Sequence, residues 1–256
     1  MPTAHEYRDR YCAFVDILGF RQLIEQLRTS TASFEALHNL LKRIHGANSG
    51  AAIDMDSTDF RAQSISDAVA ISTTVSAVGL DQLFQTLQSL SLDLLSEGYF
   101  VRGAVVRAPL YHDDQTDFGE ASVKAYHFES EVAKYPRIVV TQEVREDMIS
   151  YIGQAKGIYP KMDILRQSSD GPMYLDILQP VVSLLRKGDS PVRILSGSEQ
   201  DTHHRYIRIR DKIQERYGEA MDDPRHFEKV RWFARYWNEV IPKKFFLMVS
   251  AAERDF

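Results

Sequence analysis

Two aspartates, Asp16 and Asp67, are the residues of this sequence that most directly suggest chemistry. Asp16 follows the apolar run 11–15, which predicts a buried strand, and Gly19 then marks a turn into a helix. Asp67 lies between two runs of β-prone residues. Carboxylates combined with a backbone carbonyl suit Mg²⁺ or Mn²⁺, and the amide groups at a helix start suit a phosphate chain. The pattern therefore predicts a site for a metal and a nucleoside triphosphate.

A purely structural role is the alternative for both carboxylates. Asp16 can cap the helix that follows it, and Asp67 can stabilise a turn, because aspartate side chains accept hydrogen bonds from nearby backbone N–H groups. The two carboxylates converge only if a hairpin carrying Asp67 pairs beside the strand that ends at Asp16. The residue pattern by itself leaves both interpretations open.

The elements that must position these carboxylates alternate between helices and strands. Residues 59–65 and 68–74 are both β-prone and predict a hairpin with Ser66 and Asp67 at its turn. A leucine stripe after residue 80 predicts a helix that ends near Gly98, and residues 99–108 predict a strand that Pro109 breaks. The remaining predicted elements are two helices between residues 20 and 44, a polar connector at 110–117, helices at 119–133 and 141–151, and strands at 137–140 and 173–177.

This element order predicts an α+β fold with a mixed or antiparallel sheet flanked by helices. Residues 1–180 form the predicted catalytic domain, and residues 181–256 form a C-terminal helical extension packed on it. In the extension, residues 179–200 are partly helical, residues 202–217 form a helix, and Asp223 with Pro224 opens another.

The composition excludes several classes of function. The chain has 256 residues, of which 44% are hydrophobic, and a net charge of −5. That charge argues against a broad nucleic-acid surface, and no apolar run approaches the ~20 residues of a membrane helix. Cys12 is the only cysteine, which excludes an intrachain disulfide and fits a reducing compartment. The polar N-terminus is unlike a signal peptide, so we expect a cytoplasmic protein with no membrane insertion.

Four segments, in the right order, resemble motifs of the class III nucleotidyl cyclases. The resemblance spans about residues 11–140 and implies a cyclase-like, ferredoxin-like sheet. The matching segments are AFVDILGF at 13–20, SISDAVAIS at 64–72, VRGAVVRAPLYH at 101–112 and FGEASVKAYHFES at 118–130.

The resemblance implies a role for each half of the site. Asp16, Asp67 and the carbonyl of Ile17 would hold two divalent ions, Mn²⁺ or Mg²⁺. The backbone of Leu18, Gly19, Phe20 and Arg21 would cradle the β- and γ-phosphates. A metal-assisted attack of the ribose 3′-hydroxyl on the α-phosphate would give a 3′,5′-cyclic nucleotide and pyrophosphate. In this family two subunits share each site, so a homodimer is implied.

The departures from the family pattern change the expected substrate. Val123 and His127 stand where the family has its transition-state Asn and Arg, and Gln63 stands where adenylate cyclases select adenine with Lys. Since strand faces alternate, Gln63 shares a face with Asp67 and Arg61. The amide of Gln63 is both donor and acceptor, which suits the edge of a pyrimidine. Gln63 can equally be a solvent-facing strand residue.

Other cations must then stabilise the reaction. Lys124 and His127 are the predicted catalytic residues, although such a histidine is more often a surface or packing residue. Arg102, Arg107 and Arg137 are further candidates, although an arginine such as Arg102 in a strand is more often a structural salt-bridge residue, and Arg137 can be structural too.

The differences from the common class III motifs fit a divergent group of these cyclases better. The chain resembles the pyrimidine cyclases of the bacterial Pycsar antiphage system. Shared features include the hairpin carrying Asp67 and the segment YPRI at 135–138. The resemblance implies that UTP is cyclised to cyclic UMP, which activates a separate effector during phage infection. The alternatives are a cytidylate cyclase that makes cyclic CMP from CTP, and a degenerate cyclase-like module that senses a nucleotide. A scaffold whose C-terminal helices bind a partner is a third interpretation.

Overall fold

The sheet is the framework of the fold in this computed structural model, which describes residues 7–20, 35, 58–65, 68–113, 115–154, 164–187, 197–243 and 247–250. Its eight strands in this part of the chain are β1 (Arg8–Leu18), β2 (Arg61–Ile65), β3 (Ala68–Thr74), β4 (Phe100–His112), β5 (Asp117–Gly119), β6 (Ile138–Val140), β7 (Leu165–Gln167) and β8 (Met173–Leu175).

Helices flank this sheet. The described α-helices are α1 (Ala77–Ser96), α2 (Glu120–His127), α3 (Gln142–Gln154), α4 (Gln179–Lys187), α5 (Gly197–Glu219) and α6 (Pro224–Val240). A π-helical turn, Phe128–Val132, continues α2, and a 3₁₀ turn, Ala220–Asp222, follows α5. The helices predicted between residues 20 and 44 lie outside the described residues, apart from the helical start at Phe20 and the isolated residue 35.

The strand order confirms the predicted α+β fold with a mixed sheet. The main path runs β2-β3-β1-β4-β6-β8-β7, and β5 pairs with β4 off this path. Strands β2, β3, β1 and β4 are antiparallel neighbours, while β6 pairs parallel to β4. The order of the first four strands, with α1 connecting β3 to β4, is the split β-α-β arrangement of ferredoxin-like folds.

Two hydrophobic layers sandwich β1 because its residues alternate between the faces of the sheet. Tyr11, Val15 and Ile17 belong to the main core together with buried leucines of α1 such as Leu80. Cys12 belongs to a smaller cluster on the other face that includes buried alanines of α2. Asp16 therefore lies on the same face as Cys12, the face that α2 covers.

The register of β1 fixes the neighbours of Asp16. Asp16 lies opposite Ala68 of β3 and opposite Arg102 of β4. Ala68 immediately follows Asp67 in the sequence, and Asp67 itself lies outside the described residues. The antiparallel pairing of the hairpin predicted at 59–65 and 68–74 is confirmed, with its first strand beginning at Arg61, and β3 does pair beside β1.

The prediction that Pro109 breaks the fourth strand was wrong, and so was the prediction of a polar connector at 110–117. Strand β4 continues through Pro109 to His112, and β5 pairs with its last three residues. The N–H of Gly103 points away from β1, towards the carbonyl of Arg137 before β6. The N–H groups of successive strand residues point to alternate sides, so the nitrogen of Pro109, six residues after Gly103, points to the same side as the N–H of Gly103. At Pro109 this side lies beyond the end of β6. No ladder bond needs the missing N–H there.

The C-terminal helices pack into the main core. Helix α6 begins as predicted, because the side chain of Asp223 accepts hydrogen bonds from the N–H groups of Arg225 and His226. Its buried residues Phe233 and Trp237 join the same cluster as α1. Strand β7 was not predicted, and the domain boundary at residue 180 stays a prediction. No helix within the described ranges combines the length and the apolar character needed to cross a membrane.

Candidate functional site

Strand β1 presents the carboxylate of Asp16 close to a turn and a helix start. The side chain of Asp16 is 21% exposed, and the strand ends two residues later. Gly19 then turns the chain with φ +86°, a left-handed conformation that favours glycine, and Phe20 begins a helix. The predicted arrangement of carboxylate, glycine turn and helix start is thus present as far as Phe20. Arg21, the next predicted phosphate-binding residue, lies outside the described residues.

The residues around Asp16 differ in what they can offer a ligand. The side chain of Ile17 is buried in the main core, so only its backbone carbonyl is available as a metal ligand. Phe20 is also buried, which leaves its backbone N–H as the group that can face a phosphate. Within the described ranges no three His, Cys, Asp or Glu side chains are grouped to hold a metal ion.

A cation, Arg102, lies next to Asp16. Its Nη2 atom is 3.4 Å from Oδ2 of Asp16, and the same nitrogen also contacts Oε1 of Glu129. Nε of Arg102 contacts that glutamate oxygen as well. Burial raises the pKa of Glu129, Arg102 opposes the shift, and the charge of Asp16 adds to it. Arg102, one of several cation candidates from the sequence, is therefore part of the Asp16 site.

Glu129 was not predicted as a site residue. The signal that existed was its position within residues 118–130, the fourth segment of the family resemblance. Its carboxylate is almost completely buried, with 3% of the side chain exposed, and such groups are rarely buried unless paired. Contact between Glu129 and Arg102 joins residues 27 positions apart, which spacing along the sequence cannot reveal.

Gln63 lies on the same face of the sheet as Asp16. It pairs with Ala70 of β3, which in turn pairs with Phe14 of β1. Nε2 of Gln63 donates a 3.3 Å hydrogen bond to the carbonyl oxygen of Gln115. The amide oxygen Oε1 of Gln63 is buried and has no hydrogen-bond partner. Because the carbonyl oxygen of Gln115 can only accept, the NH₂ group of Gln63 must be the end of the amide that faces it. The oxygen Oε1 of Gln63 is therefore the end left for a ligand, and it can only accept a hydrogen bond.

Arg61, the other predicted base-binding residue, belongs to an ion cluster around Asp59. Its Nε atom is 2.9 Å from Oδ1 of Asp59, and Arg8 and the buried Arg10 contact the other carboxylate oxygen. Asp59 has φ +41°, a strained conformation for a residue other than glycine. Burial acts to raise the pKa of Asp59, but Arg10 and Arg61 lower it overall. The structure thus gives Arg61 a structural partner beside its predicted role.

Lys124 and His127 lie on α2 and line a groove of about 1040 Å³ between α2 and α3. Nζ of Lys124 forms a 2.8 Å ion pair with Glu143 of α3, and the ring of His127 contacts that of Phe128 edge-on. Asp9 lines the groove as well, and it lies seven residues before Asp16 on β1, about 23 Å away at the usual strand rise. Of the aspartates on β1, Asp9 lines this groove together with Lys124 and His127, and Asp16 does not.

Helix α2 also exposes apolar side chains. Val123 is 71% exposed and Tyr126 is 59% exposed, and the ring of Tyr126 packs edge-on against Phe14 of β1. Phe118, just before the helix, is exposed and stacks on Tyr111. Val123 and Tyr126 belong to the helix that covers the Asp16 side of the sheet, whereas Phe118 pairs with Tyr111, whose side chain lies on the opposite side.

Comparisons with known proteins give similarities in structure only. No protein-family model matches the chain, and no curated protein matches its sequence. The catalytic core of a rhodopsin-guanylyl cyclase with converted specificity, solved in complex with ATPαS, is 17% identical. That match covers 66% of this chain and 93% of the other, with a TM-score of 0.42.

Two further solved structures match similar portions of the chain. A bacterial light-regulated adenylyl cyclase is 15% identical, and the match covers 71% of this chain and 57% of the other with a TM-score of 0.44. An adenylate/guanylate cyclase/hydrolase from Silicibacter pomeroyi is 13% identical, with coverages of 66% and 95% and a TM-score of 0.38.

Proposed function

We propose that the protein is a nucleotidyl cyclase of the class III type that converts UTP to 3′,5′-cyclic UMP and pyrophosphate. The observation that carries this proposal is the placement of Asp16. Its carboxylate ends a central strand, faces the residue that follows Asp67, lies beside Arg102, and precedes a glycine turn and a helix start. Carboxylate, cation and helix N-terminus in this arrangement suit a metal-bound triphosphate.

The available donors fit Mg²⁺ or Mn²⁺. Asp16, the backbone carbonyl of Ile17 and Asp67 supply oxygen, the ligand type that these hard cations prefer. The guanidinium of Arg102 lies 3.4 Å from Asp16, so a metal ion held by Asp16 would bind beside this positive charge. Two bound ions would lower the pKa of the ribose 3′-hydroxyl and neutralise negative charge on the phosphates.

The reaction needs a bound triphosphate held in line for attack. We assign the β- and γ-phosphates to the backbone N–H groups from Leu18 to Arg21, where the helix dipole favours an anion. The ribose 3′-oxygen loses its proton and forms a bond to the α-phosphorus, and the bond to the bridging oxygen of the β-phosphate breaks. Pyrophosphate leaves with the electron pair of that bond, and the base stays attached to the ribose.

Base recognition is assigned to Gln63. Its buried acceptor Oε1 matches a donor of the base, the N3–H of uracil or the amino group of cytosine. The second hydrogen on Nε2 can reach a neighbouring acceptor of the same base. An amide in place of the lysine of adenylate cyclases offers both a donor and an acceptor, which suits the edge of a pyrimidine. We place UTP first and CTP as the alternative substrate, with Arg61 as a second contact.

The remaining residues fit a site shared between two protomers. Lys124 and His127 line the groove between α2 and α3, and we assign them to the phosphate charge at the site of a second copy. The exposed apolar side chains of Val123 and Tyr126 on α2 support such a homodimer, because exposed apolar patches mark interaction sites. The proposed biological role is an antiphage signal in the cytoplasm, in which the cyclic nucleotide activates a separate effector.

A nucleotide-sensing module without turnover is the second candidate. It is favoured by Val123 and His127, which replace the polar Asn and cationic Arg of the resembling family on the exposed side of α2. Incubating the purified protein with each of the four nucleoside triphosphates and Mn²⁺ separates the candidates. Cyclic UMP supports the cyclase, cyclic CMP supports the alternative substrate, and metal-dependent UTP binding without product supports the sensor.

A further inference from the structure

The geometry points to Glu129 as a positioning residue that sets the divalent-cation affinity of Asp16 by holding Arg102. The inference rests on the proposed metal role of Asp16. It concerns the free protein before any nucleotide binds, and it assigns Glu129 no contact with substrate or metal.

One guanidinium is shared between two carboxylates. Nη2 of Arg102 contacts Glu129 and is 3.4 Å from Asp16, while Nε of Arg102 bonds to Glu129 alone. The arginine is therefore held more tightly by the glutamate than by the aspartate. The side chains of Arg102 and Asp16 are 19% and 21% exposed, and that of Glu129 is 3% exposed. The buried glutamate is thus the anchor of the arrangement.

The fold holds Glu129 in place. It lies in the π-helical turn Phe128–Val132, a kind of turn that occurs often at functional sites. Phe128, the neighbouring residue, packs against the buried cluster of Ala104, Ala133 and Val139. Lys229 of α6 also acts electrostatically on Glu129, so the charges that face this carboxylate come from β1, β4 and α6.

The charge balance makes Arg102 a competitor of the metal. A cation that binds Asp16 must do so beside a guanidinium, and like charges repel at this distance. Glu129 offsets most of that repulsion, because its negative charge neutralises Arg102 and keeps the guanidinium turned towards itself. Without the charge of Glu129, Arg102 would pair with Asp16 alone and oppose the metal at full strength.

The test measures Mn²⁺ binding to the full chain without nucleotide, by electron paramagnetic resonance of free Mn²⁺ and by calorimetry. We expect Glu129→Gln to weaken Mn²⁺ binding roughly fivefold, the typical scale of a partly exposed ion pair. Arg102→Met removes the competitor and should tighten binding by a similar factor. The double variant Arg102→Met/Glu129→Gln should bind Mn²⁺ at least as tightly as the wild type.

The double variant separates positioning from a merely structural role. The double variant removes the charges of both Arg102 and Glu129, so neither is left buried without its partner. Its Mn²⁺ affinity can therefore be measured even if Glu129→Gln does not fold. The matched control is Asp176→Asn, which removes a buried carboxylate that bonds to Tyr236 and does not contact Arg102. This control should lower stability and leave Mn²⁺ affinity unchanged.

The outcomes distinguish this inference from the proposed function. Wild-type affinity in Glu129→Gln, or a double variant that binds Mn²⁺ more weakly than the wild type, overturns the positioning role. A wild-type protein that binds no Mn²⁺, or an Asp16→Ala variant that binds it normally, instead overturns the proposed metal site and with it the basis of the inference.

Discussion

Loss of the carboxylate of Asp170 is expected to destabilise the whole fold through Arg137. The Arg137 side chain is fully buried, and its Nη1 and Nη2 atoms lie 2.7 and 2.6 Å from the two carboxylate oxygens of Asp170. Nη1 also donates to Ser168 at 2.6 Å. In Asp170→Asn the guanidinium would stay buried without a counter-charge.

The size of the effect follows from burial. Removing one partner of a buried ion pair typically costs about 3–5 kcal/mol, and because Asp170 is itself 36% exposed, the cost should fall just below this range. We therefore expect Asp170→Asn to lower the free energy of unfolding by about 2–3 kcal/mol. Hydrogen bonds from Arg137 also hold the pKa of Asp170 at about 2, below its usual 3.8. The stabilisation should thus persist above pH 4 and be lost as the pH falls towards 2.

The loss of stability should extend to α6, because Arg137 lies about 5.5 Å from the stacked rings of Tyr135 and Trp232. Its guanidinium carbon is 5.3 Å from the ring centre of Tyr135 and 5.6 Å from that of Trp232 on α6. Urea unfolding followed by tryptophan fluorescence and far-UV circular dichroism measures the loss. A single coincident transition is expected, since the C-terminal helices share the main core.

A double-mutant cycle with Arg137→Met tests the reasoning. Once Arg137 is gone, Asp170→Asn leaves no buried charge, so the double variant should lose at least about 1 kcal/mol less than the sum of the single losses. Additive losses, or an Asp170→Asn variant within about 0.5 kcal/mol of the wild type, would refute the assignment of this pair as a buried ion pair.

Three further predictions concern stability, base selection and assembly. Burial lowers the pKa of His112 from 6.5 to about 4, so the folded state resists protonation and is destabilised as the pH falls below 6.5. Between pH 7.5 and 5, the free energy of unfolding measured in urea should therefore fall by about 2 kcal/mol more for the wild type than for His112→Gln. Gln63→Ala should reduce kcat/KM for UTP about 10- to 100-fold and narrow the preference over ATP, whereas unchanged selectivity would remove Gln63 from base reading. Val123→Arg should shift sedimentation from dimer to monomer and abolish cyclase activity, and an unaltered oligomeric state would contradict the proposed interface.

Local patterns predicted the elements that local physics determines. The β-prone runs on either side of Asp67 gave the hairpin, the leucine stripe gave α1, and the Asp223–Pro224 pair gave the start of α6. Each of these signals lies within a few residues of the structure that it predicts.

Features that depend on distant partners were not accessible from the sequence. Pro109 continues β4 only because no neighbouring strand needs its missing N–H. The bond from Gln63 to the carbonyl of Gln115 and the contact of Arg102 with Glu129 join residues far apart in the chain. Asp16, the glycine turn and Gln63 were thus named from the sequence as site candidates, while the contact that joins Asp16, Arg102 and Glu129 emerged only from the fold.

The four-nucleotide assay with Mn²⁺, resolved by mass spectrometry, tests the central claim most directly. The proposal predicts cyclic UMP and pyrophosphate in equal amounts from UTP, and loss of product in Asp16→Ala and in Asp67→Ala with circular dichroism unchanged. Absence of any cyclic nucleotide from all four substrates, or full turnover in either aspartate variant, would contradict the proposed cyclase.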